Sequence, residues 1–196
     1  MDITTWVAVG IVALVVIWMI ATYNRMVTRR NQIDNAWSQV DVQLRRRYDL
    51  IPNLVETVKG YASHERETFE DVTKARQAGI DAGSVADQAQ AENMITAALR
   101  RLFAVAEAYP QLRATENFQK LQEELSGTES KIAYSRQFYN DTVLMYHNLI
   151  QSFPARIVAG MCGFQPRQYF EIEDAARAPV KVDFGGQPPS HPTPSP

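Results

Sequence analysis

The sequence predicts an all-α protein with three parts: an N-terminal transmembrane helix, an antiparallel four-helix bundle and an extended C-terminal arm. An apolar segment without charged residues opens the chain. From Met26 to Phe153 the apolar residues then recur at helical spacing, with almost none of the alternation that indicates strands. The pattern changes after Pro154, which separates the arm from the bundle.

The composition limits the classes of function. The chain has 196 residues, of which 45% are hydrophobic and 21% charged, and its net charge is −2. That size suits one domain with appendages, and the charge balance lacks the basic excess of a nucleic-acid partner. The single cysteine, Cys162, excludes an internal disulfide and a thiolate metal cluster, and it fits a reducing compartment. We expect it to be a small, buried packing residue.

The N-terminal segment is predicted to be a membrane anchor, residues 1–23. Residues 3–21 carry no charge, and about 20 such residues cross a bilayer as a helix. Trp6, Trp18 and Tyr23 lie towards its ends, where aromatic rings prefer the membrane interface. A cleaved signal peptide is the alternative, but the segment has neither a basic start nor an A-x-A site.

The charges beside this segment predict its orientation. Asp2 precedes it, whereas Arg25, Arg29 and Arg30 follow it closely. Positive residues stay on the cytoplasmic side of a membrane. We therefore expect a single-pass protein with its N-terminus outside and its remaining domain in the cytoplasm.

The predicted bundle covers residues 24–155, and its first helix is interrupted by a proline. The apolar seam of that helix is Ile33, Trp37, Val40 and Leu44. In the stretch "LRRRYDLIPNLV", Pro52 is harmless only in the first turn of a helix, and Asp49 is suited to cap that turn. This predicts a corner at Arg46 to Asp49, with a kinked continuous helix as the alternative.

Three further helices complete the prediction. The second has the seam Ile51, Val55, Val58, Ala62, Phe69 and Val72, with Glu65 in the one slot that breaks the pattern, and Gly79 and Gly83 end it. Ser84 and Asp87 resemble a capping box for the third, whose seam is Ile95, Leu99, Leu102, Ala106 and Tyr109 before Pro110. The fourth has the seam Leu121, Leu125, Thr128, Ile132, Ser135, Tyr139, Val143, Tyr146, Ile150 and Phe153.

Residues 156–184 are predicted to form a short helix and an extended arm. Val180, Val182 and Phe184 alternate like one side of a strand. A single strand has no partner in a helical bundle, so this arm either lies on its own bundle or joins a neighbouring chain. Residues 185–196 have the sequence "GGQPPSHPTPSP", which is polar and rich in proline. We expect them to be a disordered tail.

Two long blocks of the sequence resemble the LemA family of bacterial membrane proteins. They are "YNRMVTRRNQIDNAWSQVDVQLRRRYDLIPNLVETVKGYASHE" (residues 23–65) and "YPQLRATENFQKLQEELSGTESKIAYSRQFYNDTVLMYHNLIQSFP" (residues 109–154). The resemblance implies a single membrane helix in the bacterial inner membrane and a cytoplasmic four-helix bundle of bromodomain-like topology. It also implies no established catalytic activity, and an association with membrane organisation and with genes for membrane metalloproteases.

No catalytic, cofactor or metal site is predicted. His64, His147 and His191 are scattered and belong to no metal motif, and no phosphate-binding or nucleophile-elbow motif is present. Because carboxylate sites do occur in bundle cores, the strongest chemical candidates are Glu65 with the seam hydroxyls of Thr128 and Ser135. We expect these three to be buried, hydrogen-bonded structural groups instead, and we expect no small-molecule substrate.

The basic run Arg45, Arg46 and Arg47 is the candidate interaction site, together with Val180, Val182 and Phe184. Its simplest interpretation is a solvated helix end, and the alternative is a docking point for an acidic partner. The sequence thus favours a membrane-anchored scaffold that forms homo-oligomers. The alternative function is an adaptor or regulator of a membrane-bound protease.

Overall fold

The computed structural model describes residues 2–171, and every regular element in that range is an α-helix. The prediction of an all-helical chain with a long apolar N-terminal helix is confirmed. Val180, Val182, Phe184 and the proline-rich tail lie outside the described residues. The helices are α1 (Ile3–Lys59), α2 (Arg66–Asp81), α3 (Val85–Glu107), α4 (Pro110–Arg113), α5 (Glu116–Gln151) and α6 (Ala155–Met161).

The longest element is α1, whose 57 residues continue without a break from the apolar segment into the helical body. Pro52 lies inside this helix. The predicted corner at Arg46 to Asp49 is therefore wrong, and the alternative of one continuous helix is observed. The chain turns later, between Gly60 and Glu65, after the last helical residue Lys59.

A side chain of α2 compensates for the proline. Pro52 has no N–H to donate to the carbonyl oxygen of Tyr48, four residues earlier. The Arg76 Nε–H donates to that same oxygen at 2.8 Å. The backbone acceptor that the proline leaves unpaired is thus satisfied by a neighbouring helix, which explains how α1 continues through this position.

The long helices pack as two antiparallel pairs, and α1 also contacts α2 and α3. The register of α1 on α5 is defined by three contacts that advance along α1 and retreat along α5: Arg29 with Met145, Trp37 with Tyr139, and Arg47 with Glu129. The register of α2 on α3 follows from the Asp71–Arg101 ion pair and from Gly79, which lies against Ile95.

Most of the predicted seam residues are buried in one core, because the helical periodicity identified the inward faces correctly. Trp37, Val55, Tyr109 and Leu121 are only partly buried at its edge. Two residues differ from the prediction. Phe153 at the end of the α5 seam is 84% exposed, and Cys162 is exposed because it follows the last turn of α6.

The ends of α2 and α3 correct two further expectations and confirm one. Glu65 was expected to be buried, but it lies in the break after α1 and is the partly exposed N-cap residue of α2. Gly79 lies inside α2 and is buried, so it does not end that helix. The Ser84 hydroxyl accepts a hydrogen bond from the Asp87 N–H at 3.1 Å, which confirms the predicted cap of α3.

The segment after α6 lies along α1 and α5 of its own chain. Phe170 is fully buried, and its ring is 5.3 Å from that of Trp37. Three α5 side chains bond the backbone of the segment: the Tyr139 hydroxyl to Gln168 O, the Asn140 amide to both N–H and O of Phe170, and the Tyr146 hydroxyl to Gln165 O. The described part of the arm therefore packs in cis.

We expect the Arg76–Tyr48 hydrogen bond to be energetically coupled to Pro52. Arg76→Ala should destabilise the body by about 1–3 kcal/mol, because it leaves the buried carbonyl oxygen of Tyr48 without a hydrogen bond. In a Pro52→Ala background the restored N–H bonds that oxygen, so the same change should cost clearly less. Urea unfolding of the full chain in detergent, followed by circular dichroism, measures this double-mutant cycle. Lys74→Ala on the same helix is the control, and additive effects of the two substitutions would contradict the coupling.

Candidate functional site

The buried charged residues of α1 and α3 gather at one level of the body, together with two buried polar neighbours. Arg47 and Tyr48 enter from α1, and Gln88 and Glu92 come from α3. Arg47 is only 3% exposed and Glu92 is fully buried. Two opposite charges have thus been removed from water, which is favourable only when each is closely paired. We call these four residues the buried cluster.

The guanidinium of Arg47 contacts two helices. Its Nη1 atom lies 2.6 Å from Glu92 Oε2, and Nη2 donates to the Thr96 hydroxyl at 3.2 Å. Its Nε atom lies 2.9 Å from Glu129 Oε1 on α5, although the N–H is not directed at that oxygen. One side chain of α1 therefore holds both α3 and α5.

The second oxygen of Glu92 is occupied by Tyr48. The Tyr48 hydroxyl donates to Glu92 Oε1, and the Gln88 amide donates to the Tyr48 hydroxyl oxygen. Burial raises the pKa of Tyr48 far above its ordinary value, and the nearby Glu92 carboxylate adds to this, while Arg47 opposes it. The hydroxyl consequently remains a proton donor, and both oxygens of the buried carboxylate are engaged.

Glu129 forms the solvent-facing edge of this arrangement. Burial raises the pKa of its carboxyl, and the Arg47 guanidinium opposes that shift. Its side chain is 43% exposed and opens towards a groove of about 540 Å³ between α3 and α5, where Leu99, Phe103 and Leu125 supply apolar surface. The Arg47–Glu129 contact is therefore the one that water reaches.

A close helix approach supports the cluster from α2. A Cβ atom at Gly79 would lie 2.7 Å from the Tyr48 hydroxyl oxygen and 3.1 Å from Ile95 Cδ1. Glycine is needed here for space, since its helical backbone has an ordinary conformation. Because Gly79 has no side chain, α2 packs directly against the Tyr48 ring, whose hydroxyl donates to Glu92.

The arrangement is suited to holding helices in register. Its ionised and hydroxyl groups bond one another, and both members of the charged pair are buried. Within residues 2–171, no three histidine, cysteine, aspartate or glutamate side chains come together in a way that would hold a metal ion.

The three consecutive arginines do not form one basic surface. Arg45 and Arg46 are exposed, and Arg45 forms an ion pair with Asp41 at 2.9 Å. Arg47 was expected either to be solvated or to dock an acidic partner, but it is buried inside its own chain. Consecutive helical residues diverge by about 100°, so the third arginine turns towards the core that Leu44 faces.

The sequence analysis missed Gln88, Glu92, Tyr48 and Glu129. A signal was present for two of them, because Gln88 and Glu92 continue the spacing of Ile95 backwards by three and four residues. Polar residues in phase with an apolar seam indicate buried pairs, and Arg47 likewise lies between the seam residues Leu44 and Ile51. Which of them pair cannot be read from spacing within one helix.

The remaining predicted residues lie elsewhere. Thr128 and Ser135 are buried, and their hydroxyls donate to carbonyl oxygens one turn earlier on α5, at 2.8 and 3.1 Å. Trp6, Trp18 and Tyr23 are exposed on α1. Neither hydroxyl is near Glu65, so these three candidates do not form a common site.

A second surface feature follows the outer side of α1 and α5. It is a groove of about 660 Å³ with mainly apolar walls. Val42 and Tyr134 lie beside it and are 59% and 77% exposed. Further along α5, Phe138 and Met145 are also exposed on the helix face of Tyr134. Exposed apolar residues grouped on one face are typical of an interaction surface.

Comparison with known proteins identifies a family. The model described as LemA family matches residues 36–184. Magnetosome protein MamQ 2 of Paramagnetospirillum magneticum is 27% identical over 188 residues, covering 83% of this chain and 69% of the relative. Magnetosome protein MamQ of Magnetospirillum gryphiswaldense is 23% identical, covering 88% and 74%. Protein LemA of Metamycoplasma hominis is 24% identical, covering 80% and 72%.

Breaking the buried ion pair should be costly, whereas breaking the exposed one should not. Arg47→Met leaves Glu92 charged and unpaired, and we expect a loss of about 3–5 kcal/mol in the free energy of unfolding. The matched control is Arg45→Met, which removes the surface pair with Asp41 and should cost about 1 kcal/mol or less. Urea denaturation of the full chain in detergent measures both. Equal costs for the two variants would contradict a central role for the cluster.

Two of the helical glycines, Gly79 and Gly127, should respond oppositely to alanine. Gly127→Ala meets no atom within 4 Å, so the better helix propensity should stabilise the chain by about 0.5–1 kcal/mol. Gly79→Ala forces Tyr48 away from its partners and should destabilise it by about 1–3 kcal/mol. Thermal unfolding distinguishes the two directions, and a gain in stability at Gly79 would show that the close approach is not needed.

Proposed function

The chain belongs to the LemA family, and on that premise we propose a non-enzymatic scaffold protein of the bacterial inner membrane. In this proposal the four long helices form an antiparallel bundle of bromodomain-like topology in the cytoplasm. A single membrane helix anchors the bundle, which associates with further copies of itself. Its work would be to organise proteins at the membrane.

One observation supports the proposed membrane anchor most directly. The apolar first part of α1 is long enough to cross a membrane, and none of its most apolar window is buried within the chain. An exposed apolar segment of that length needs a hydrophobic surrounding. The bilayer provides it, with Trp6, Trp18 and Tyr23 near the interfaces. The relatives named as magnetosome proteins also support an association with membranes.

The orientation rests on charge. Arg25, Arg29 and Arg30 follow the apolar segment, and Asp2 precedes it. This distribution favours a cytoplasmic body and an external N-terminus. The exposed Cys162 is compatible with the reducing conditions of the cytoplasm.

The lack of catalysis is proposed from the nature of the polar groups. The groups of the buried cluster bond one another, and Thr128 and Ser135 bond their own helix. A catalytic site needs groups that approach a reacting molecule. These groups instead support the packing of the body.

Self-association is proposed along the exposed stripe of α1 and α5, defined by Val42, Tyr134, Phe138 and Met145. Because α1 continues rigidly from the membrane, every anchored copy presents this stripe at the same height. Two copies related by an axis along the membrane normal bring the same surfaces together, as a twofold interface requires. Membrane confinement also raises the effective concentration of the partners. A membrane protease that uses the stripe is the alternative occupant.

Light scattering of the full chain in mild detergent tests the scaffold. We expect an oligomer for the wild type and a monomer for the Val42→Glu, Tyr134→Glu double variant, because buried charges oppose association. Ile80→Glu places the same charge at an exposed apolar site on α2 and should leave the oligomer intact.

A monomeric wild type would contradict self-association. Crosslinking in native membranes would then decide about the alternative, since a protease captured through the stripe would identify an adaptor.

A further inference from the structure

Helix α6 is apolar on two sides. Ala155, Val158 and Ala159 are buried against the body. Ile157 and Met161, four residues apart, lie on another side and are 55% and 70% exposed. Phe153, one turn before Ile157, is 84% exposed. No part of the described chain covers these three large side chains, which we call the apolar triplet.

The helix register places the triplet at the membrane end of the body. Arg29 of α1 contacts Met145 of α5, and the two helices are antiparallel. Continuing two turns brings Phe153 beside Thr22, at about 1.5 Å per residue on each helix. Thr22 follows directly on the apolar segment of α1, so Phe153 lies at the level where that segment ends.

The residues after α6 confirm this level independently. The ring of Phe164 lies 5.6 Å from that of Tyr23 and in edge-to-face geometry. The Arg30 guanidinium lies 5.8 Å from the centre of the same Phe164 ring. Both ends of the segment from Phe153 to Phe164 are therefore fixed beside the interfacial turns of α1.

The charge at this end suits lipid head groups. Neither residues 3–33 nor residues 142–170 contain an aspartate or glutamate. Arg25, Arg30 and Arg156 are exposed there. Apolar side chains beside exposed arginines are the composition of a helix that lies in the surface of an anionic membrane.

We propose that Phe153, Ile157 and Met161 insert into the interfacial zone of the bilayer that holds α1. The inference rests on the proposed membrane anchor and adds a second attachment to it. The occupant is lipid, because the triplet adjoins the anchor at the same depth. Two attachments fix the rotation of α1 about its axis and hold the body against the membrane.

The chain carries its own reporter for this proposal. Cys162 is its only cysteine, is exposed and follows Met161 directly. The full chain is labelled there with the environment-sensitive dye NBD and reconstituted into vesicles of equal parts phosphatidylcholine and phosphatidylglycerol. We expect blue-shifted emission and strong quenching by lipids that carry a nitroxide near the head group.

Two variants serve as controls. The triple variant Phe153→Ser, Ile157→Ser, Met161→Ser should lose most of the quenching, with unchanged circular dichroism because the replaced side chains are exposed. A chain with Cys162→Ser and Gln90→Cys carries the dye near Glu92. Glu92 pairs with Arg47, which lies about 35 Å from Tyr23 along α1 by helix rise. This distant site should show no quenching.

Flotation of the same vesicles separates the two proposals. Protein that floats while its Cys162 label behaves like the label at position 90 would overturn the interfacial contact and leave the anchor intact. Equal quenching in the wild type and in the triple serine variant would also overturn the contact. Protein that fails to float would overturn the anchor and with it this inference.

Discussion

The buried ion pair between Arg47 and Glu92 is the constraint on which the packing of the body depends. It joins α1 to α3, and the same guanidinium reaches α5 through Glu129. A buried pair contributes little net stability compared with apolar packing, but any other register would leave an unpaired charge in the core. Tyr48 and Gly79 add to the constraint. The Tyr48 hydroxyl donates to the second oxygen of Glu92, and Gly79 of α2 packs directly against that hydroxyl.

The same region also explains how α1 remains one continuous helix. The interior proline would weaken α1 if it stood alone, but Arg76 of α2 bonds the carbonyl oxygen that Pro52 leaves unpaired. The stretch from Arg47 to Pro52 is thus joined to α2, α3 and α5 by hydrogen bonds and ion pairs. A membrane helix and a helical body that share one continuous backbone move together, which suits a scaffold that positions its surface relative to the bilayer.

The fold class, the inward helix faces and the cap of α3 could be predicted because they depend on local spacing. The path of the chain at Pro52 could not, since it depends on Arg76, far away in the sequence. Glu65 was misplaced because it lies in the break between α1 and α2 and not on a helix face. Arg47 was misplaced because the predicted corner removed it from the helical phase of Leu44 and Ile51. The partners Glu92 and Glu129 required knowledge of which helices meet. Phe153 is exposed because it follows the last residue of α5, Gln151, where the buried face of that helix ends.

The continuity of α1 in a membrane is the central claim, and a single distance tests it directly. Spin labels at Asn24 and Glu56, in a chain with Cys162→Ser, lie 32 residues apart on one helix, about 48 Å by helix rise. Pulsed electron paramagnetic resonance on the protein in lipid nanodiscs should give a narrow distribution near that value. A distribution centred at about half that distance, as for a chain that folds back at Arg46 to Asp49, would contradict the account.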